Sequence, residues 1–500
     1  MSRTTDSAPD PTAAGSARPD PTAAGPTLPD PTAAGSALPG PTTADRTTVA
    51  ATGSASSRPV PAGSAPATQV FLASTLYGTA TLAAAIDSGC FPPAARRILL
   101  ASNNAAVPET TPPLTQSPGF ARLRTRFDDV RDWNEAIAPL HPSGWTPRAD
   151  DVPLWERRLR REWGLADDEP VSLVLESIQV APAQAVAQLF PDAPIDVYAD
   201  GLMSYGPTRN KLDPLIGGRV RRLLHLDLVP DLRPLLLSEF GVRPALVPTD
   251  AFLDVLSELC DTEADLAVGD GDERPALLLG QYLSALAILT PEEEEDLHIR
   301  MLRGAVRRGH KRVVFKPHPS APSRWSSRLE REAAELGAEL MVFDTPLLAE
   351  VLFRRLRPAL VVGCFSTALF TAHALYGIPT ARVGTELLLE RLTPYENSNR
   401  IPVTLADALL PDLEESSPAA PPADPSALVA AVGYAMQPRL YPAQRPHAER
   451  YLRAHSHRRY FKRRRLTALG LPGGLPQRLA FVPRNATVRR MARTVRRLTA

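Results

Sequence analysis

Three short stretches of the sequence place groups that bind anions or accept protons directly after apolar runs. Asp200 follows IDVYA, His318 follows VVFKP, and Ser366 with Thr367 follows the run at 360–365. A carboxylate in such a position suits a general base that takes a proton from a hydroxyl. An imidazole, and hydroxyls at the start of a helix, suit a phosphate group. Together they indicate proton transfer beside a phosphate site.

Each motif also has a purely structural explanation. Prolines on both sides of His318 restrict the backbone and hold the imidazole stiffly, yet a loop histidine satisfied by its neighbours fits the local sequence equally well. A second His-Pro pair, at His141, has no strand before it, so the dipeptide alone proves little. Ser366 is a common type of helix cap. Asp200 followed by Gly201 is, taken alone, more often a turn than a catalytic pair.

Apolar runs alternate with helical stretches along most of the chain. The rhythm of strand, helix and strand is present from residue 70 to about 201 and again from 276 to about 384. We also expect a helical stretch over VPDLRPLLLSEFG, residues 229–241. The pattern predicts an α/β fold with two Rossmann-like domains facing a cleft. Ligands of open parallel sheets bind beyond the carboxyl ends of the strands, where the three motifs lie.

Composition sets the outer boundaries of these domains. The sequence PDPTAAG recurs at 9, 19 and 29 without a large apolar side chain, and Pro accounts for 53 of 500 residues, so we expect a disordered start. An acidic, glycine-rich stretch marks a linker. The predicted parts are a Pro/Ala/Thr-rich repeat tail at 1–66, a first domain at 67–262, a linker at 263–275, a second domain at 276–437 and a basic tail at 438–500.

Charge and cysteine usage exclude several classes of partner and site. The net charge of +1 argues against a globally charged partner. Cys90, Cys260 and Cys364 are widely spaced and odd in number, so we expect no disulfide framework, no metal cluster and a reducing, cytoplasmic compartment. No apolar run is long enough to predict a membrane span. The acids of PEEEEDLH, residues 291–298, indicate the first turn of a helix capped by Thr290.

The basic tail leaves two interpretations open. From residue 439 onward the chain has 17 Lys and Arg and one acid, Glu449. RRYFKRRR at 458–465 and VRRMARTVRR at 488–497 suit either a solvated helical tail or a segment that holds the chain against anionic lipid or a polyanionic glycan. The second interpretation predicts peripheral binding at the inner face of the plasma membrane. The spacing of a nucleic-acid recognition motif is missing, so we expect no nucleic acid partner.

The three motifs, in this order, resemble those of the bacterial sialyltransferases, especially the capsule polysialyltransferase-like family. That family has an acidic-acidic-Gly motif, a His-Pro motif and a serine motif. Here the matching residues are Asp200-Gly201, His318-Pro319 and Ser366 with Thr367. The stretches TQVFLASTLYGTATLAAA and RRILLASNNAAVPE are also similar to this family. The resemblance covers roughly residues 68–415.

The resemblance implies a GT-B fold and the transfer of sialic acid, or a related nonulosonic acid, from a CMP-activated donor to a glycan hydroxyl. It implies inversion, no metal and no cofactor besides the substrate CMP-sialic acid. It makes Asp200 the general base, and it places His318, Ser366 and Thr367 at the donor phosphate. A polymeric product is compatible with the family but is not indicated by any residue.

One position departs from the family pattern. The first acidic position of the motif is Ala199, so Asp200 has to act without its usual neighbour. Glu176, at the carboxyl end of another apolar run, is a candidate for support. Further candidates are Gly201 and Arg209 beside the base, and Gly280, Gln281, Lys316 and Pro319 as donor contacts.

Two other functions stay open at this point. A CDP-glycerol glycerophosphotransferase of the teichoic-acid type also releases CMP and also uses histidine motifs near phosphates. A relative that binds a CMP-sugar without turning it over is the alternative outside enzymes, and Ala199 is the feature that keeps it open.

Overall fold

Seven parallel strands form the first sheet, in the order β3-β2-β1-β4-β5-β6-β7. Their bounds are Thr68–Ala73 (β1), Arg96–Ala101 (β2), Asp129–Asp132 (β3), Val171–Leu175 (β4), Ile195–Ala199 (β5), Val220–His225 (β6) and Arg243–Leu246 (β7). Alternate residues of β1 enter two different cores, Val70 with Leu72 in one and Phe71 with Ala73 in the other. Both faces of the sheet are therefore covered, which is why its inner strands are continuous apolar runs.

Helices cover this sheet and connect its strands. They are Leu76–Asp87 (α1), Phe120–Leu123 (α2), Trp133–Ile137 (α3), Val152–Trp163 (α4), Ala183–Leu189 (α5), Pro214–Gly217 (α6) and Thr249–Cys260 (α7). The hydroxyl residues Ser74 and Thr75 predict a cap for the first helix. The structure confirms it, because Thr75 accepts a hydrogen bond from the Gly78 amide at 2.9 Å. Gly89, with φ of +72°, follows the end of that helix.

Five parallel strands form the second sheet, in the order β10-β9-β8-β11-β12. Their bounds are Ala276–Leu279 (β8), Arg312–Lys316 (β9), Glu339–Val342 (β10), Leu360–Gly363 (β11) and Thr380–Arg382 (β12). The helices of this part are Pro291–Arg307 (α8), Arg324–Glu335 (α9), Ala349–Leu356 (α10), Thr367–Ala374 (α11), Thr385–Arg391 (α12), Arg400–Leu409 (α13), Pro425–Met436 (α14), Arg445–Ala454 (α15) and Arg463–Leu469 (α16). The predicted fold class, α/β with two Rossmann-like sheets of the GT-B type, is confirmed.

This computed structural model describes residues 68–199, 201–260, 274–318, 324–415, 421–422, 424–455 and 458–474. The predicted repeat tail, most of the predicted linker and the basic run at 488–497 lie outside those ranges. Asp200 and Pro319 lie outside them too. The predicted domain boundaries stay predictions.

One predicted helix is wrong. Residues 229–241 form turns and a short 3-10 helix, Ser238–Phe240, instead of an α-helix. Pro234 disfavours helical geometry at the residue before it. Asp231 and Leu237 adopt φ of +65° and +63°, which an α-helix does not allow. In contrast, the predicted start of α8 is confirmed, because Thr290 and Glu293 form a reciprocal capping box.

The chain after α14 crosses back toward the first sheet. Gln437 Nε2 donates to the Arg209 carbonyl at 2.9 Å, and the Tyr441 hydroxyl donates to the Leu235 carbonyl at 3.1 Å. On the same side, α13 packs on the 3-10 helix Leu202–Tyr205, where a Cβ on Gly206 would be 3.4 Å from Ile401. These contacts join the two sheets beside the cleft.

Part of the basic tail is built into the fold. Arg459 lies 3.0 Å from the buried carboxylate of Asp407, and Arg465 donates to the Ala435 carbonyl at 2.7 Å. Arg463 and Arg464, in contrast, are exposed. Binding of this segment to lipid or to a polyanionic glycan stays a prediction.

Asp407 is expected to stabilise the tail strongly. Its side chain is 0% exposed, accepts a hydrogen bond from Thr385 at 2.7 Å, and lies within 4 Å of Arg382 and Arg459. Asp407→Asn removes the buried negative charge between Arg382 and Arg459, while Arg382 keeps Asp412 at 2.6 Å, so we expect the free energy of unfolding to fall by about 2 kcal/mol. Urea denaturation followed by tryptophan fluorescence measures the loss. Glu386→Gln is the control, because Glu386 also pairs with Arg459 but is 67% exposed, and its removal should cost at most about 0.5 kcal/mol. Equal losses in the two variants would contradict the prediction.

A candidate active site in the cleft

A cleft of about 940 Å³ lies between the carboxyl ends of the two sheets. Its walls are formed on the first side by residues of 105–111, 176–180, 198–209 and Leu236, and on the second side by residues of 280–286, His318, 365–367, Asn399 and Pro402. The cleft therefore lies beyond the carboxyl ends of the strands, where the sequence predicted a ligand site.

The end of β8 packs very closely against the end of β9. The Gly280 amide donates to the Lys316 carbonyl at 2.9 Å, and a Cβ on Gly280 would lie 3.2 Å from the Pro317 Cα. Gln281 follows and connects two loops, because its Oε1 accepts a hydrogen bond from the Phe365 amide at 3.0 Å. Gly280 and Gln281, two of the four predicted donor contacts, thus lie in the wall of the cleft, and Gln281 positions the loop before α11.

Ser366 is the N-cap of α11, and both Ser366 and Thr367 line the cleft. The Ser366 hydroxyl accepts a hydrogen bond from the Ala368 amide at 3.3 Å. The first-turn amides of a helix have no partner within the helix, so this end favours an anion. Capping and anion binding are compatible here, because the cap and the hydroxyl of Thr367 lie at the same edge of the cleft.

The loop after β5 of the first sheet comes close to α11 beside the second sheet at Gly201 and Thr367. A Cβ on Gly201 would lie 2.9 Å from Thr367 Oγ1. The backbone φ of Gly201 is −155°, so close approach and not conformation requires glycine at this position. Gly201, in the loop after β5, and Thr367, the first residue of α11, therefore face each other at the cleft. Asp200 itself lies outside the described residues, and its role stays a prediction.

His318 lies in the wall at the end of β9. Its ring centroid is 6.3 Å from that of Tyr282, which also lines the cleft. The imidazole is accessible from the cleft, yet the protein atoms around it replace enough water to lower its pKa, and the positive charge of Lys316 lowers that pKa further. The neutral imidazole is therefore favoured while the cleft holds no ligand.

The two predicted cationic side chains, Lys316 and Arg209, differ in whether they line the cleft. Lys316 is not among the residues that line the cleft. Its Nζ donates to the Thr345 carbonyl at 3.2 Å, and burial lowers its pKa to about 8. Arg209 does line the cleft, and burial lowers the pKa of its guanidinium. Gln179 fixes that loop by accepting a hydrogen bond from the Arg209 amide at 2.6 Å.

Glu176 contributes a buried carboxyl to the wall of the cleft. Its side chain directly follows β4 and is 7% exposed. The Tyr198 hydroxyl lies 3.0 Å from Glu176 Oε2. The next residue, Ser177, has a φ of +43°, a conformation that is rare and strained outside glycine.

Sequence reasoning missed several residues of the site, of which Glu294 is the clearest. Its buried carboxylate accepts hydrogen bonds from the Leu283 and Ser284 amides at 2.7 and 2.8 Å, which fixes the loop that carries Tyr282. The acid lies in a run interpreted only as a helix start. Its three-residue spacing from Leu297 places it on the buried face of α8, and that spacing is the signal that could have found it.

Within the ranges that the structure describes, no group of three or more His, Cys, Asp or Glu side chains could hold a metal ion. Within the same ranges, no helix is long and apolar enough to cross a membrane.

Several solved structures are similar to this chain at low sequence identity. An O-GlcNAc transferase mutant of Thermobaculum terrenum is 15% identical over 79% of this chain, with a TM-score of 0.33, and the chain spans only 65% of its length. The GT-B domain of a sialyltransferase from Photobacterium damselae is 11% identical over 68% of this chain and 95% of that domain, with a TM-score of 0.37. MurG of Acinetobacter baumannii is 9% identical over 69% of this chain and 84% of its own, also at 0.37. TM-scores this low carry no argument about activity.

No curated protein matches the chain. The model of the alpha-2,8-polysialyltransferase family, however, matches residues 69–385, which is more than half of the chain and includes all three motifs. This chain therefore belongs to the alpha-2,8-polysialyltransferase family, and it is a sialyltransferase-type glycosyltransferase.

Proposed function

We propose that the enzyme transfers sialic acid, or a related nonulosonic acid, from a CMP-activated donor to a glycan hydroxyl, with inversion and without a metal ion. The observation that carries this proposal is the approach of Gly201 to Thr367 Oγ1. It supports the proposal because Gly201, which follows Asp200 in the sequence, meets the hydroxyl motif of the second sheet at the cleft.

The second wall suits the phosphate of the donor. Ser366, Thr367 and the first-turn amides of α11 are donors held in place by the helix and by the Gln281 contact to Phe365. A leaving nucleoside monophosphate gains negative charge as its bond to the sugar breaks. Donors that are already in position stabilise that charge without reorganisation.

His318 completes this wall. Its depressed pKa keeps the imidazole neutral in the empty cleft near neutral pH. A bound phosphate dianion raises that pKa, because an opposite charge nearby favours the protonated form. The histidine then acts as a charged donor to the phosphate.

The first wall suits the acceptor. Asp200 follows β5 and takes the proton of the attacking hydroxyl in this proposal. The proposal assigns the base to the first wall and the leaving phosphate to the second, so that attack and departure take place on opposite faces of the sugar. That arrangement gives a single displacement with inversion.

Arg209 is the candidate partner for the carboxylate of the transferred sugar. It is half-buried in the cleft wall, and its loop is fixed by Gln179 and by Gln437. A guanidinium partly removed from water binds a carboxylate strongly and in a defined orientation.

The proposed location of the enzyme rests on its exposed basic residues. Exposed Arg463 and Arg464, together with the basic residues beyond 474, suit an anionic membrane surface or a polyanionic glycan. We propose a cytoplasmic enzyme that binds peripherally to the inner face of the plasma membrane.

Asp200→Ala tests the general base. We expect kcat for CMP release from CMP-sialic acid to fall about 100-fold or more, because the acceptor hydroxyl loses its proton acceptor. CMP affinity, measured by calorimetry, should stay the same. Glu162→Gln, on the exposed side of α4, is the matched control and should keep normal turnover. Normal turnover by the Asp200 variant would remove that residue from the role.

Turnover of CDP-glycerol instead of CMP-sialic acid by the unaltered enzyme would overturn the proposed donor, and CMP binding with no turnover of either donor would favour a binding protein.

The lowered pKa of His318 predicts that the protein takes up a proton when CMP binds. This pKa is below the usual 6.5 in the empty cleft and higher beside a phosphate, so between these two values binding adds a proton and CMP affinity falls as pH rises. Calorimetry in buffers of different ionisation enthalpy measures the uptake. His318→Gln should remove the part of it that belongs to the imidazole, whereas His447→Gln, on α15, should not. Uptake that is the same in both variants would contradict the assignment.

Gly201→Ala tests the close approach of the two walls. The added methyl group meets Thr367 Oγ1, so we expect kcat/KM to fall about tenfold or more as the walls move apart. Thr367→Ala removes the obstructing oxygen, so the two effects should be strongly non-additive in the double variant. Transfer assays on the four proteins measure this. Additive losses would show that the two residues do not limit each other.

A further inference from the structure

We propose that Asn399 binds the acylamino group of the transferred sugar, so that the enzyme selects an N-acylated nonulosonic acid over one with a hydroxyl in that place. The inference rests on the proposed function and names the class of sugar that it uses. It is drawn from the burial of Asn399, from the unused hydrogen-bonding groups of its side chain and from its position where the two walls of the cleft meet.

The side-chain amide of Asn399 lies in the wall of the cleft. The residue is only 7% exposed, and it lines the cleft together with Pro402. Within the part of the chain that the structure describes, neither the oxygen nor the nitrogen of this amide has a hydrogen-bond partner. These atoms are also not among the unpaired polar atoms that the described residues enclose completely. A ligand in the cleft can therefore reach them, and a nearly buried amide with no other partner indicates such a contact.

The local sequence explains why this side chain is left unused. Asn399 is the N-cap of α13, where an asparagine side chain ordinarily accepts a hydrogen bond from the second or third amide of the helix. The third position here is Pro402, which has no N–H. The backbone of Asn399, at φ of −76° and ψ of −6°, is helical instead of extended, and its side chain forms no cap. Helix capping therefore does not account for this asparagine.

The backbone around Asn399 is fixed, so its amide is held in place before a substrate arrives. The Asn399 N–H donates to Asn397 Oδ1 at 3.0 Å, and its carbonyl accepts a hydrogen bond from the Val403 amide at 2.9 Å. Arg400 follows with a side chain that is 0% exposed and donates to the Tyr395 carbonyl at 2.7 Å. A contact residue on such a rigid turn loses little conformational freedom when it binds.

The start of α13 lies where the two walls of the cleft meet. α13 packs on the 3-10 helix Leu202–Tyr205, which directly follows Gly201, and a Cβ on Gly206 would be 3.4 Å from Ile401 Cγ1. In the proposed reaction the phosphate lies at the start of α11, and the transferred sugar is the part of the donor that lies between the walls. Asn399 is therefore placed for contact with the sugar.

The lining on both sides of this junction suits an acylamino group, which combines a polar amide with an apolar end. The Asn399 side chain has a donor at Nδ2 and an acceptor at Oδ1, so it can pair with the C=O or the N–H of such a group. Met203, 52% exposed on the 3-10 helix against which α13 packs, and Pro402 present apolar surface to the same cleft. The methyl group of the acyl chain gains by covering it. A hydroxyl would use only the polar half of this surface.

Two donors that differ at one carbon test the inference. Transfer assays compare CMP-activated nonulosonic acids with an acetamido group and with a hydroxyl at the same position. We expect kcat/KM of the unaltered enzyme to be at least about tenfold higher for the acetamido donor, because the hydroxyl leaves the amide poorly paired. Asn399→Ala should lower kcat/KM for that donor about tenfold and bring the ratio of the two donors close to one. Asn397→Ala, in the same turn but not among the described residues that line the cleft, is the control and should keep the ratio.

Calorimetry with CMP separates the sugar from the nucleotide. CMP has no sugar acid, so its affinity for Asn399→Ala should equal that for the unaltered enzyme, which also shows that the variant is folded. A loss of CMP affinity with an unchanged donor ratio would place Asn399 at the nucleotide and overturn the inference, as would a change confined to the KM of the acceptor. Equal use of both donors by the unaltered enzyme would overturn it while the proposed function stands. If the unaltered enzyme uses neither donor, the proposed function fails and this inference fails with it.

Discussion

The close approach of Gly201 to Thr367 is the constraint on which the site depends. These residues belong to different sheets and are 166 positions apart in the chain, yet a single added methyl group would fill the space between them. The proposed reaction needs the two walls at a fixed separation, because in it a general base and a phosphate site act on the same sugar. The glycine sets the smallest separation, and the contacts around the cleft keep the walls from moving apart.

Those contacts come from the last part of the fold. α13 packs on the 3-10 helix that follows Gly201, and the chain after α14 returns to contact the loops that carry Arg209 and Leu235. The segment at 458–474 holds this return in place through Arg465 and through the ion pair of Arg459 with buried Asp407. Basic residues near the end of the chain thus stabilise a cleft whose walls are made by much earlier strands.

Few of the described side chains that line the cleft are charged. Among the described residues of its lining, the carboxyl, guanidinium and imidazole side chains are those of Glu176, Arg209 and His318. Burial lowers the pKa of His318, which favours its neutral imidazole near neutral pH, whereas the guanidinium of Arg209 stays charged. In the proposed reaction the phosphate and the carboxylate of the donor bring the negative charge to which these two groups respond. Backbone amides and hydroxyls, which do not titrate near neutral pH, supply the rest.

Four features could be predicted from the sequence: the α/β class, the strand ends at which the motifs lie, the caps at Thr75 and Thr290, and the order of motifs that indicates the family. Each depends on residues close together in the chain, where apolar period and capping chemistry act locally. Which side chains face the cleft depends on the tertiary structure. Lys316 ends a strand as the motifs do, but its Nζ donates to the Thr345 carbonyl, because the loop after β10 brings that acceptor within reach. The same reason explains why the contact of Gly201 with Thr367 and the pairing of Tyr198 with Glu176 could not be predicted: each requires knowing which distant segments become neighbours.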